Sequence, residues 1–215
     1  MALTPITAAR DVLARARALL YCAELTLIPV PLRSDLARSA LVMGVAAVDA
    51  FMHAAVMRNL TAWRPRSAVG RIEIRFDEVS RLVKTAAEQR KVNAYSRPWV
   101  AVKEALREEL LKQTFQSSRS VESALAMCGV GNGWSKVSAK RNIGASRLRR
   151  RLDGLVHRRN RIVHEGDLER ARRPRKAVRE SIDPGQVARD LNWLEKLIGA
   201  MDSVIAAPKK KAKKS

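Results

Sequence analysis

Between Thr7 and Leu25, apolar side chains return at helical spacing: Val12, Leu13, Ala16, Leu19, Leu20 and Ala23 fall on one side. Pro29 and Pro31 close that pattern and predict a short connection. Ser34 is placed to cap a long second helix, about Asp35 to Asn59, in which only Asp49 and His53 are polar from Leu41 to Met57. Trp63 to Gly70 reads as a loop, and Ile72 to Phe76 alternates as a short strand does. Helical spacing returns at Asp77 to Gln89, and Pro98 opens a helix over Trp99 to Thr114. A shorter helix, Ser120 to Met127, is stopped by Gly129, Gly131 and Gly133. Ala145 to Val163 is the next strongly periodic helix, and a basic loop, Glu169 to Glu180, follows it. Asp183-Pro184 then opens a last helix that ends near Ile205. The chain has no internal repeat.

Composition agrees with an all-α chain. Of its 215 residues 47% are apolar, enough for a buried core, and Gly and Pro are sparse. The expected organisation is an N-terminal helix and connection over 1–32, one helical domain over 33–206, and a Lys-rich disordered tail over 207–215. Cys22 and Cys128 are the two cysteines, and no secretory pattern precedes them, so reduced thiols in a cytoplasm are expected. The Ala- and Arg-rich character looks bacterial.

Charge narrows the partners. The formal net charge is +21, from 42 basic and 21 acidic residues. Lys140 to Arg179 alone holds 15 Lys or Arg against 4 Asp or Glu, and Lys209, Lys210, Lys211, Lys213 and Lys214 crowd the tail. Such an excess attracts a polyanion, RNA or DNA, or an anionic surface. A membrane span is the rival reading for Leu41 to Met57, but Asp49 near its middle is costly there, about 2.5–3.5 kcal/mol, and no membrane partner is expected.

The basic region contains Arg159-Asn160-Arg161-Ile162-Val163-His164 at the end of the Ala145 helix. On a helical wheel Leu152, Leu155 and Val163 lie within about 40° of Arg159, so Arg159 emerges from the apolar stripe. Arg158 and Arg161 are expected to face solvent. An arginine in such a stripe needs an anion or a carboxylate, or it snorkels. His164 is about 140° further round and converges on Arg159 if the helix loosens at Glu165-Gly166, or if two copies line one cleft. Asn160, four residues before His164, is placed to orient it or to hold a phosphate oxygen.

This six-residue pattern resembles the RxxxxH motif, in its RNxxxH form, of the HEPN superfamily. The segments "SALVMGVAAVDAFMHAAV", "QTFQSSRSVESALAMCGVGNGWSKVS" and "SIDPGQVARDLNWLEKLI" are similar to the RiboL-PSP-HEPN branch, and the likeness spans roughly Arg33 to Ala206. The resemblance implies a HEPN-like helical bundle with extra short helices, dimerising through the motif-helix region into a homodimer with a composite cleft. It implies a metal-independent endoribonuclease of the toxin or phage-defence kind, with an antitoxin or defence-system partner. No cofactor and no metal are expected.

The residue types suit that chemistry. RNA carries its own nucleophile, the 2′-hydroxyl. Histidine can take that proton or protonate the leaving 5′-oxygen, while arginine holds the phosphate and its extra charge. The expected catalytic set is Arg159, Asn160 and His164, with Asp49. That carboxylate sits with His53 as the polar pair of the second helix, and it either partners Arg159 or His164 or is simply capped and linked to water. The expected RNA contacts are Arg158, Arg161, His157, Arg172, Arg173, Lys209, Lys210 and Lys211. His157 reads more readily as a plain surface histidine than as a phosphate contact. There is no zinc spacing, carboxylate cluster or phosphate-binding glycine loop. Two other classes remain open: a non-catalytic RNA-binding HEPN domain, and a DNA-associated helical scaffold.

Overall fold

The computed structural model describes residues 4–62, 84, 87–88, 107–108, 110–169 and 178–207. Six helices are defined there: α1 Pro5–Glu24, α2 Val30–Ala62, α3 Ser118–Met127, α4 Gly133–Arg141, α5 Ala145–Glu165 and α6 Pro184–Ala206. The described residues contain no strand, only an isolated antiparallel bridge between Leu168 and Arg179. The fold is all-α, as the periodicity implies. The strand expected at Ile72–Phe76, the loop at Trp63–Gly70 and the Lys-rich tail lie outside the described residues. Lys84, Ala87, Glu88, Arg107, Glu108, Leu110 and Leu111 are helical.

α2 is the central element and touches α1, α3, α5 and α6. Ala37, Ala40, Leu41, Val45, Val48, Phe51, Met52, Ala55 and Val56 are all buried, which is why the helix is apolar around most of its circumference. It is long and apolar enough to cross a membrane, and just over half of its most apolar stretch is buried within this bundle. The small residues let neighbours approach closely: a Cβ added at Gly44 meets Leu191 Cδ2 of α6 at 2.4 Å.

Helix starts follow local chemistry. Thr4 caps α1 ahead of Pro5, and Asp183 caps α6 by accepting from the Gly185 and Gln186 amides. α2 begins at Val30 rather than after Ser34, because Pro31 falls in its first turn, where a proline costs no hydrogen bond. The helix expected to run to Thr114 ends at Leu111, and Thr114 to Gln116 is irregular.

The glycine-rich stop after α3 is followed at once by α4. Its first amides are held by Glu122 of α3, whose carboxylate accepts from Gly133 N at 3.0 Å and Trp134 N at 3.1 Å. Trp134 is buried and donates Nε1–H to Ser118 O at 2.8 Å. Asn142, in the left-handed conformation, ends α4 and turns the chain into α5.

Candidate functional site

α5 carries the motif, and its last turn is locked from three sides. Leu148, Leu152 and Leu155 seat it on the core. The helix closes at Gly166 (φ +61°), and the Gly166 and Asp167 amides both donate to Arg161 O. Asp167 (φ +58°) is fully buried. Its Oδ2 accepts from Arg38 Nε of α2 at 2.8 Å and from Arg158 Nη2 at 2.8 Å.

Glu180 completes an ionic cluster. Its carboxylate is paired with both Arg158 and Arg161, and its carbonyl accepts from Arg38 Nη2 at 2.6 Å. The backbone ties the same two segments, through Glu180 N to Asp167 O at 2.9 Å and Glu169 N to Val178 O at 2.8 Å. Three guanidiniums thus surround these two carboxylates, with Asp35 3.2 Å from Arg38 Nη1 and Glu165 3.9 Å from Arg161 Nε at the edge of the cluster. Burial pushes the Arg158 guanidinium below its usual value, and Asp167 opposes that shift by favouring the charged form.

This corrects the expected placement of Arg158 and Arg161. Neither is a free solvent-facing cation; their side chains are only 21% and 12% exposed and are committed to Asp167 and Glu180. The wheel put them off the core stripe, but the chain beyond α5 folds back over them. Arg38 is the member that sequence reasoning missed. Its signal was an arginine one turn before the apolar run Leu41 to Met57, together with carboxylates at 167 and 180 within and at the edge of a basic stretch.

Arg159 behaves differently. It is half-buried on the side of Leu152 and Leu155, as its position on the wheel implies, and its Nε is buried with no partner. Its Nη1 donates to Asn160 Oδ1 at 3.0 Å, and among the described residues it meets no carboxylate. Asn160 and His164 are exposed, and His164 makes no side-chain hydrogen bond or ion pair among the described residues. The structure therefore brings Arg159 and Asn160 together and leaves His164 facing outward, one turn beyond Asn160. His157 is also exposed.

Asp49 is not the partner of Arg159 or His164. Its carboxylate accepts from Phe115 N at 2.6 Å and Gln116 Nε2 at 3.2 Å, with His53 Nε2 3.5 Å away. His53 Nε2 also lies 3.0 Å from Gln113 O, and its ring packs 4.8 Å from that of Phe115. The pair fastens the irregular segment that leads into α3. The physical reason is local: the segment's amides lack helical partners, and a carboxylate projecting from α2 satisfies one of them.

Asp153, on the outer side of α5, holds the start of α3. Its two oxygens accept from Ser118 N at 2.8 Å and Ser118 Oγ at 2.7 Å. Arg151 donates to Asp190 of α6 at 3.0 Å and stacks over the Trp193 ring at 4.7 Å. Arg172, Arg173, Lys209, Lys210 and Lys211 lie outside the described residues. Among the described residues no group of three or more His, Cys, Asp or Glu is arranged to hold a metal. No family model, curated protein or solved structure matches the chain.

Proposed function

We propose that this protein is a HEPN-like endoribonuclease that cuts RNA without a metal, with Arg159 and His164 as its catalytic pair. The observation that carries the reading is the contrast within one helix end. Arg158 and Arg161 are paired with Asp167 and Glu180, whereas Arg159 between them meets no carboxylate among the described residues; its Nε, like that of Arg161, is buried with no hydrogen-bond partner. A partly desolvated guanidinium in that state binds an anion strongly, and a phosphodiester fits its fork.

The chemistry assigns one role to each side chain. His164 moves the proton, at the 2′-hydroxyl or at the leaving 5′-oxygen. Arg159 holds the non-bridging oxygens as charge builds on phosphorus. Asn160, bonded to Arg159, orients that guanidinium. The 2′-oxygen bonds to phosphorus as the bond to the 5′-oxygen breaks, which gives a 2′,3′-cyclic phosphate and a 5′-hydroxyl.

The two side chains diverge on the helix by about 140°, so the working site takes them from two copies about a two-fold axis. Val163, Leu168 and Val178, each 40–50% exposed around the end of α5 and its bridge, supply apolar surface for such a pairing. A toxin or defence role, with an antitoxin or defence-system partner in the cytoplasm, follows from the family resemblance. The test is cleavage of single-stranded RNA in EDTA by the wild type, with Arg159→Ala and His164→Ala each reducing it about a hundredfold. Retained RNA affinity in a wild type that does not cut would select a non-catalytic RNA-binding domain instead.

A further inference from the structure

Beyond the motif, the outer face of α5 carries a second feature. Arg150, His157 and His164 are spaced seven apart, so they form one line that drifts only about 20° per step. All three are exposed, and Arg147 lies beside the line one turn from Arg150. Among the described residues none of these four side chains makes a hydrogen bond or ion pair. Two acids lie beside the line: Glu165, next to His164 and 3.9 Å from Arg161 Nε, and Asp153, whose oxygens are both committed to Ser118. The stripe is therefore positive at its Arg147 and Arg150 end, where no acid pairs with either guanidinium among the described residues.

A second observation lies beside it. Gly154 is mid-helix on the same exposed side, and a Cβ added there meets nothing within 4 Å. No packing demand explains a glycine at a helix-interior position that disfavours it. The bare backbone leaves room for a chain lying close along the helix. At the Arg147 and Arg150 end, away from the proposed pairing surface around Val163, a second copy of this protein is a poor occupant, because it would set like charges against one another.

We infer that the Arg147, Arg150, His157 and His164 face is the track along which the RNA strand approaches the cut site. This rests on the nuclease reading above and adds the direction of the substrate. Arg150 and His164 are about 21 Å apart along the helix axis, the length of about six stacked nucleotides. Arg147 and Arg150 hold phosphates at the far end, His157 contacts the middle, and His164 meets the scissile phosphate. Specificity for RNA then comes from the cut site, and the track itself reads only backbone charge.

The test uses the full chain with Arg159→Ala to prevent cleavage, and measures binding of a labelled single-stranded RNA across salt concentrations. Arg147→Gln with Arg150→Gln is expected to lower the log–log salt slope by about 1.4, since each phosphate no longer neutralised removes about 0.7. Gly154→Leu, which changes no charge, is expected to weaken binding by obstructing the path. In the cleaving enzyme the arginine pair is expected to raise KM on a long RNA while kcat holds, and the rise to shrink as the RNA is shortened toward the cut. An unchanged slope and KM in a chain that cuts RNA would overturn the track and leave the nuclease reading intact. A slope lowered by the arginine pair in a protein whose wild type never cuts would overturn the nuclease reading and keep the track. Tighter binding of duplex DNA than of single-stranded RNA would overturn RNA as its occupant.

Discussion

Asp167→Asn is the sharpest test of how the end of the motif helix is held. The substitution keeps the side chain's size, and asparagine tolerates the left-handed backbone at φ +58°, so it removes charge with little backbone cost. What remains is Arg38 at 7% exposure and a half-buried Arg158, both donating toward an amide that carries no charge. Arg158 would then have only Glu180 to offset its burial and the repulsion of Arg161 and Arg38. Breaking one side of a buried pair costs about 3–5 kcal/mol. The lower end of that range applies, because Glu180 stays and is partly exposed. For a chain of this size about 3 kcal/mol corresponds to a Tm lowered by about 6–12 °C. Circular dichroism on heating and in urea reads both quantities. A double-mutant cycle with Arg38→Gln isolates the pair, with an expected coupling of about 1–3 kcal/mol. A loss below about 1 kcal/mol in Asp167→Asn, or no coupling in the cycle, would refute the idea that this cluster fixes the helix end.

Two further predictions concern the neighbouring elements. Asp49→Ala is expected to destabilise the protein by about 1–3 kcal/mol, through loss of acceptors for Phe115 N and Gln116, while kcat on RNA is kept; a selective loss of kcat in a fully folded variant would return Asp49 to the site. Val163→Glu, at an exposed apolar position beside the motif, is expected to convert a dimer to a monomer in light scattering and to abolish cleavage with it; an active monomer would dismiss the composite cleft.

Much of the helical framework was legible because it rests on short-range rules. The periodic stripes of α1, α3, α5 and α6 and the Asp183 cap are written in neighbouring residues. α4 was not legible. It is short, begins on the last of three closely spaced glycines, and its first amides are held by Glu122 eleven residues earlier, an interaction no local pattern announces. The placement of Arg159 against the apolar stripe followed directly from the wheel. The burial of Arg158 and Arg161 did not, because their partners come from chain that folds back after the helix has ended. Asp49 was misread for a related reason: it serves a backbone amide at Phe115, and amides carry no sequence signature.

The most direct measurement of the proposed chemistry uses two matched single-stranded RNAs in EDTA, one carrying a single 2′-deoxy nucleotide immediately before the mapped cut. Attack by the 2′-hydroxyl predicts cleavage of the all-ribose strand to a 2′,3′-cyclic phosphate. It predicts no cut at the deoxy position, and activity lost in both Arg159→Ala and His164→Ala. Cutting that persists at the deoxy position, that needs added magnesium, or that survives both substitutions would contradict it.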